Sequence, residues 1–507
     1  MSGPVRGMFA VHAACIRGVE ARPVTVEVSM TGGIPGMSIV GMADSGVLEA
    51  RGRIRCALRA AGFEIPRSSI TVNLAPGDMR KSGSGFDLPI AVAILAASRQ
   101  IPPAGLDDCL FVAELGLDGC TSPTSGDIAY QLLAREQGLT LVSARAATDV
   151  SITGVQRRVL DHIGSLRLGV LEATSLPLMS ETDRKPMHSL DFADVIGQDV
   201  AKRGMVIAAT GEHGLLMIGA PGAGKSMLAK RMTSILPALD EAERLEALCI
   251  HSVADEPLDD ILAGTRPFRS PHHSISTAGL IGGGKPVRPG EISLAHGGVL
   301  HLDELGEFPS SVLQTLRQPM ESGEVRIVRA EGAYTFPSRF QLLAASNPCP
   351  CGHLGDREVP CTCTPAAIDR YRSKLSGPLA DRIDMTIDVL RPDPELIVKG
   401  EEGMDSKSMA ADVERGRAFR RWRKAHDGKR APGDERTLEG VTAPYQLDEA
   451  ARTVLVRLAH VGVLSARGIV RLCRVARTIA DLAESKQVSD AHILEASMFR
   501  GVVEDGR

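Results

Sequence analysis

Gly219-Ala220-Pro221-Gly222-Ala223-Gly224-Lys225-Ser226 follows the apolar run Leu215, Leu216, Met217 and Ile218 and leads into a helical pattern from Met227 through Arg231. Strand, glycine loop and helix in that order give the G-x-x-x-x-G-K-S spacing a mechanism. The glycines let backbone N–H groups close on an anion, and the helix N-terminus adds the positive end of its dipole. Lys225 is placed to reach the β- and γ-phosphates of a nucleoside triphosphate, and the Ser226 hydroxyl to reach Mg²⁺. A chance glycine turn before a helix is the bland alternative, and the flanking strand and helix argue against it.

With 507 residues the chain has room for two to four domains, each with its own core. A formal charge of −4 gives no global case for nucleic acid, so any basic surface must be local. Aromatic residues are only 3% of the chain, which weakens any binding mode based on broad base stacking. No apolar run is long enough to span a membrane, and the first ten residues lack the pattern of a signal peptide. The expectation is a cytoplasmic protein. Cys15, Cys56, Cys109, Cys120, Cys249 and Cys473 are scattered and read as small core residues, whereas the remaining four cluster.

Residues 1–170 read as a compact α/β domain. Strands are expected at Thr25–Met30, Ser69–Leu74, Leu110–Leu115 and Leu139–Ser143, and helices at Ser45–Ala61, Phe86–Ser98 and Gly126–Gln137. The helix Phe86–Ser98 follows the Gly-rich stretch Lys81-Ser-Gly-Ser-Gly85, and the segment as a whole resembles the ribosomal-protein-S5-like fold of the Lon protease domain. A Ser–Lys dyad needs a lysine that activates the serine. In the Lon pattern it lies near Gly126–Leu133, yet Lys81 is the only lysine before Lys185, and the serine position falls on Gly85 beside Ser84. The domain is therefore expected to be proteolytically silent. Residues 171–190, with two prolines and little periodicity, are the expected linker.

Downstream, Val299-Leu-His-Leu ends in Asp303-Glu304, an apolar strand delivering two carboxylates beside the phosphate loop. Asp303 is assigned to Mg²⁺ and Glu304 to the general base that polarises water. His301 reads as a core or outward-facing histidine. Phe340–Ser346 is another strand and ends at Asn347, an amide placed to sense the γ-phosphate. Arg382, in a short polar turn, has the character of an arginine finger supplied to a neighbouring subunit, and Arg467 opens a late helix. Taken singly, either arginine reads as an ordinary surface residue.

The order of phosphate loop, Asp-Glu strand, Asn sensor, arginine finger and late sensor arginine resembles the AAA+ ATPases. More narrowly, Lys81–Leu88, Arg266–Glu304 and Asn347-Pro-Cys-Pro-Cys-Gly352 leading to Arg382 resemble the YifB/ComM family of magnesium-chelatase-like AAA+ proteins. Two departures are small: Ala380 stands where the family usually has Leu, and Ser226 where Thr is common. The fold class implied is α/β. A Lon-like N-terminal domain fills 1–170, and a central AAA+ domain fills 191–391 with pore insertions and the cysteine cluster. A C-terminal helical lid over 392–507 is expected to swing over the nucleotide. The implied activity is a hexameric ATP- and Mg²⁺-dependent DNA helicase or branch-migration motor on recombination intermediates, including natural transformation. A chelatase-type remodeller of a protein partner is the alternative.

Two insertions interrupt the AAA+ core. Arg266–His296 is rich in Gly, Pro, His and Arg and contains Gly282-Gly-Gly-Lys285-Pro-Val-Arg288, which reads as a mobile basic loop; Val325–Arg339 reads as a hairpin. In the clade this resembles, such insertions face the pore, which assigns Lys285, Arg288, Arg326 and Arg329 to a phosphodiester backbone. Solvated surface is the alternative for both. Cys349, Cys351, Cys361 and Cys363 form a C-x-C…C-x-C set able to close a tetrahedral Zn²⁺ site, with redox-sensitive or plain structural thiols as alternatives. The helix expected at Met409–Lys424 carries five arginines and reads as a solvated face.

Overall fold

The computed structural model describes residues 7–146, 150–175, 190–330, 332–356, 359–375, 379, 382–391, 395, 403–426, 442–461 and 464–500. Most of the expected linker, Ala380 and the turn residue Glu331 lie outside them.

The N-terminal unit contains β1 (Met8–Arg17), β2 (Glu20–Thr31), β3 (Gly36–Val40), α1 (Ser45–Ala60), β4 (Ser69–Ala75) and α2 (Asp87–Ala97). It continues with β5 (Cys109–Val112), β6 (Glu114–Leu115), β7 (Thr121–Ser122), α3 (Asp127–Gln137), β8 (Thr140–Ser143), β9 (Arg157–Val159) and β10 (Thr174–Ser175). Eight of these strands form one sheet in the order β10-β9-β8-β5-β1-β2-β4-β3. β1 has no counterpart in the expected strands. It lies at the centre of the sheet, where Ala13, Ala14 and Cys15 are all buried, so the alternation that marks a half-exposed strand is missing. α2 is buried on every side, and its Asp87 is held by Arg53 at 2.7 Å.

The second unit begins with α4 (Asp199–Gly211), β11 (Leu215–Ile218), α5 (Lys225–Arg231), α6 (Glu241–Ala254) and α7 (Asp259–Leu262). The first insertion follows: β12 (Phe268–Arg269), α8 (Thr277–Ile281), β13 (Gly282–Gly283), β14 (Arg288–Pro289) and α9 (Glu291–Leu294). Then come β15 (Val299–Leu302), α10 (Ser310–Thr315), α11 (Arg317–Ser322), the hairpin β16 (Glu324–Arg329) and β17 (Gly332–Pro337), and β18 (Gln341–Ser346). α12 (Pro365–Leu375) and β19 (Met385–Asp388) complete the core. β12-β15-β18-β11-β19 form a wholly parallel sheet, so every strand ends at the same edge. That edge is where ligands bind in open α/β sheets.

The C-terminal helices are α13 (Ser406–His426), α14 (Glu449–Val461), α15 (Ala466–Leu482) and α16 (Asp490–Met498). α13 and α15 pack on α4. Arginines expected on a solvated face of α13 are partly used in this packing. Arg417 donates to the Ala209 carbonyl at 2.6 Å, and Arg423 forms a buried two-pronged pair with Asp481 at 2.8 and 3.0 Å.

The two α/β units are joined by buried apolar surface. Ile128, Leu133 and Ala134 of α3 share one cluster with Ala247, Leu248 and Ile261. The Gly126 N–H donates to the Ser252 carbonyl at 2.9 Å, and Ser125 donates to Asp255 at 2.9 Å. A second contact sets the β1–β2 turn on the β16–β17 hairpin. The Arg17 guanidinium lies 5.7 Å from the Tyr334 ring centre, and a Cβ at Gly18 would stand 2.9 Å from the Thr335 carbonyl oxygen.

Candidate functional site

The phosphate loop leaves β11 at the carboxyl edge of the sheet and opens α5 at Lys225. Gly222 and Gly224 adopt φ of +78° and +95°, a left-handed conformation that favours glycine. Gly219 meets a different constraint: a Cβ there would lie 2.2 Å from the Val389 carbonyl oxygen at the end of β19. Ala220, Pro221 and Ala223 complete the loop. The first N–H groups of α5 have no partner within the helix, and no side chain caps them at Gly224. Lys225 is buried and donates to the carbonyls of Gly219 at 2.6 Å and Ala220 at 3.1 Å, and to Asn347 Oδ1 at 3.1 Å. Burial lowers its pKa from the ordinary lysine value, against the pull of Asp303 and Glu304.

Ser226 donates to Asp303 Oδ2 at 2.6 Å, so the hydroxyl and carboxylate assigned to one cation stand together. Glu304 follows with φ of +52°, a strained backbone for a residue other than glycine. Its carboxylate is 3.3 Å from Nδ1 of His273, a neighbour that sequence reasoning missed. The available signal was the His272-His273 pair just past β12, the strand beside β15. His301 in β15 is a core residue. Its Nδ1 meets Ser270 Oγ at 3.1 Å, its ring stacks on Phe268, and burial pushes its pKa down to about 4.

Arg382 and Arg467 stand elsewhere. Both line a cleft of about 800 Å³ with Gly214, Phe340 and Asp384, residues that precede β11, β18 and β19. This is the amino edge of the parallel sheet, one strand length from the phosphate loop, or about 10–13 Å for four residues. Arg467 therefore does not reach over this chain's own nucleotide loop as the lid expectation implied, because α15 docks at the far edge. Arg339, Arg471 and Arg474 line the same cleft. Arg382 pairs with Glu321, and Arg474 with Asp384 at 3.1 Å. Burial favours the neutral form of Asp384, but the His213 hydrogen bond at 3.0 Å and the arginine charges outweigh it and hold the carboxyl below its usual range.

Residues 191–396 match the profile of magnesium chelatase subunit ChlI, residues 26–145 that of subunit ChlI of Mg-chelatase, and residues 403–500 that of the ChlI C-terminal part. The chain is 40% identical over 501 residues to protein YifB of Salmonella typhimurium, covering 97% of both chains. It is 39% identical over 504 residues to competence protein ComM of Haemophilus influenzae, again covering 97% of both. The chain belongs to the YifB/ComM family of magnesium-chelatase-like AAA+ proteins. A more distant match, 23% identical over 327 residues, is the magnesium-chelatase 38 kDa subunit of Cereibacter sphaeroides, covering 60% of this chain and 88% of that one.

In this YifB/ComM chain short elements flank the basic loop of the first insertion. Leu280, Ile292 and Leu294 are buried, and a two-residue ladder joins β13 to β14. The tip, with Lys285, is exposed, as are Arg288 and the stretch 276–279. Arg288 pairs with Asp255 at 3.1 Å, which offsets part of its charge. The hairpin splits its two arginines, because side chains alternate across a strand. Arg329 shares a face with Ile327 and Tyr334, and Arg326 points to the other. The Arg329 guanidinium lies beside Gly283, next to the Lys285 tip. Among the described residues Lys285, Arg326 and Arg329 have no acidic partner. Arg17, from the N-terminal unit, joins this group over the hairpin turn.

The four clustered cysteines of this YifB/ComM chain also meet. Their sulfurs all lie within 4.8 Å of one another, with Cys349–Cys351 at 3.4 Å, Cys349–Cys361 at 3.7 Å and Cys351–Cys361 at 3.6 Å. Sulfurs bound to one tetrahedral zinc at ~2.3 Å stand ~3.8 Å apart, so the donor set fits such an ion. Backbone N–H groups of His353 and Thr362 pull the Cys351 thiol down to about 5. Against the pull of a backbone N–H on each, the neighbouring thiols hold Cys361 and Cys363 above the usual range, so without a metal the cluster favours a single thiolate. Among the described residues no helix is long and apolar enough to cross a membrane.

Proposed function

We propose that this chain is a ring-forming ATPase, hexameric in its working form, that drives DNA strands through a central channel during recombination. The observation that carries the reading is the division of the nucleotide machinery between opposite edges of one sheet. Lys225, Ser226, Asp303, Glu304 and Asn347 stand at the carboxyl edge, while Arg382 and Arg467 stand at the amino edge. One chain does not bring both sets onto one phosphate. Packed amino edge to carboxyl edge around a ring, each subunit lends its arginines to the next subunit's nucleotide.

In that arrangement Lys225 holds the β- and γ-phosphates, and Ser226 with Asp303 positions Mg²⁺. The bound ion supplies Lewis-acid charge on the phosphate oxygens. Glu304 accepts a proton from the water attacking the γ-phosphorus, and Asn347 orients that water. The partner subunit's Arg382 and Arg467 offset charge on the phosphoryl group in flight. A structural Zn²⁺ on Cys349, Cys351, Cys361 and Cys363 belongs to the same reading.

The DNA part is supported by the unpaired cations of Lys285, Arg326 and Arg329 on the two insertions, and by the competence name of the Haemophilus influenzae relative. The rival arginine-rich surface on α13 is weakened, since Arg417 and Arg423 are spent on packing. Proteolysis finds no support at position 85, where a Cβ would already press on Val112 at 3.1 Å. The deciding measurement is ATPase rate with and without single-stranded, duplex and four-way-junction DNA. Stimulation by DNA supports the motor. A rate indifferent to every DNA, but raised by a protein partner, would favour a chelatase-type remodeller.

A further inference from the structure

The cysteine knuckle is wedged into the nucleotide site. Cys349, fully buried, lies two residues beyond Asn347, whose side chain accepts from Lys225. Gly352, between Cys351 and His353, has φ of +84°. A Cβ there would stand 2.7 Å from Pro221 Cδ and 2.8 Å from Pro221 Cγ of the phosphate loop, and 3.8 Å from Asn347 Cγ. Its bare Cα thus fills the gap between loop and sensor. Asp356, further along the knuckle and with its side chain only 5% exposed, is 3.3 Å from Arg391, two residues past Val389, whose carbonyl abuts Gly219. On the sensor side, Ser346 Oγ contacts the Tyr371 hydroxyl at 3.1 Å and donates to the Asn347 carbonyl at 3.1 Å.

We infer that a zinc ion held by Cys349, Cys351, Cys361 and Cys363 is the brace that sets Pro221 and Asn347 for nucleotide, so that metal occupancy of the knuckle controls ATP binding. This rests on the family reading that the phosphate loop binds ATP, and not on the DNA motor. The physical case is chain entropy. Among the described residues of this segment, 349–356 and 359–363, there is no helix or strand, so it owes its order to the sulfur cluster and a few polar ties. A metal ion cross-links both ends of the segment, and its binding energy becomes local folding energy. Without it, four thiols that attract one another only weakly hold the loop against its own freedom. Gly352 then withdraws from Pro221, and the sensor amide loses its backing. The same knuckle leaves the basic tips untouched, so DNA affinity in the absence of nucleotide should not follow the metal.

The test uses the full chain and a non-hydrolysable fluorescent ATP analogue with Mg²⁺, so that binding is read apart from turnover. Protein purified without chelator should carry about one zinc per chain by elemental analysis. Stripping the zinc should weaken analogue binding about tenfold or more, and adding zinc back should restore it. Cys361→Ser/Cys363→Ser should lose zinc and affinity together, with no rescue by added zinc. Gly352→Ala keeps every thiol and should keep zinc, yet its methyl meets Pro221, so analogue binding should fall without metal loss. That variant decides the matter if the double cysteine change fails to fold. Protein without bound metal as purified, stripped protein with unchanged analogue affinity, or Gly352→Ala binding the analogue as wild type does would each overturn the brace. Duplex binding without nucleotide is measured in parallel. Its absence in all preparations would remove the motor reading, while the zinc dependence of analogue binding would stand.

Discussion

The Nδ1 atom of His273 lies 3.3 Å from the carboxylate of Glu304. His273 belongs to the insertion whose tip carries Lys285, so the residue assigned to activate water touches the segment assigned to DNA. Glu304→Gln should keep ATP binding and lose turnover by about 10²-fold or more, close to 3 kcal/mol of barrier. His273→Ala should leave the KM for ATP in place and lower kcat by about tenfold, with partial rescue in His273→Gln, which restores a donor. Steady-state kinetics separate these, and Glu304→Gln turning over at the wild-type rate would remove its role.

Division of the site between sheet edges predicts complementation. Arg382→Ala and Arg467→Ala should each bind ATP normally and lose turnover by about 10²-fold or more, since each arginine serves the neighbour's phosphate. Mixed with Lys225→Ala protein, either variant should regain activity, because some interfaces then join an intact loop to intact arginines. Activity that neither depends on protein concentration nor recovers on mixing would place both arginines outside the reaction.

Contacts to phosphate predict affinity that falls steeply with salt and ignores sequence. Each lost contact should reduce the slope of log K against log salt by about 0.7–0.9. Lys285→Glu and Arg329→Glu should flatten the slope, whereas Arg288→Ala should do less because Asp255 already pairs with it. Arg423→Met is the contrast. It strips Asp481 of its two-pronged partner and leaves it only Arg477 at 3.1 Å, so it should cost about 1–3 kcal/mol of stability and leave the salt slope unchanged. Binding titrations across salt, beside denaturant melts, tell grip from scaffold.

Buried His301 makes the AAA+ core acid-sensitive. Its pKa is pushed down to about 4 by burial, whereas the unfolded chain binds that proton near ~6.5. Between those values the unfolded state holds more protons, so stability falls as pH drops through that window and levels off below about 4. One such histidine accounts for at most roughly 3 kcal/mol across the window. His251 and His296, whose pKa values burial also lowers, add to the slope. His301→Phe should therefore reduce, without abolishing, the loss of melting temperature between pH 6.5 and 4. An unchanged pH profile would show that His301 already carries its proton in the fold.

The phosphate loop, the Asp303-Glu304 strand end and the Asn347 strand end were legible because each is local chemistry. A buried strand shows as an apolar run, and the polar group at its end is the next residue along. Strands with both faces buried were less so. β1 lacks alternation because α2 covers one of its faces and the cluster built by α3 and α6 the other, and β12 is too short to show a period. The arginines of α13 looked solvated because composition does not tell a charge in water from one bonded to the Ala209 carbonyl or to Asp481.

By itself, the sequence determined the order of the nucleotide motifs, the lack of a lysine where a Ser–Lys dyad needs one, and the cysteine spacing that admits a metal. Each is a property of neighbours along the chain. Tertiary structure alone decided that Arg467 shares the cleft of Arg382 at the far edge of the sheet, because helix docking on α4 depends on surfaces hundreds of residues apart. It also placed His273 on Glu304, Arg17 on the hairpin and Gly352 between Pro221 and Asn347. Those contacts arise where separate segments pack at van der Waals distance, and no local pattern encodes which segments meet.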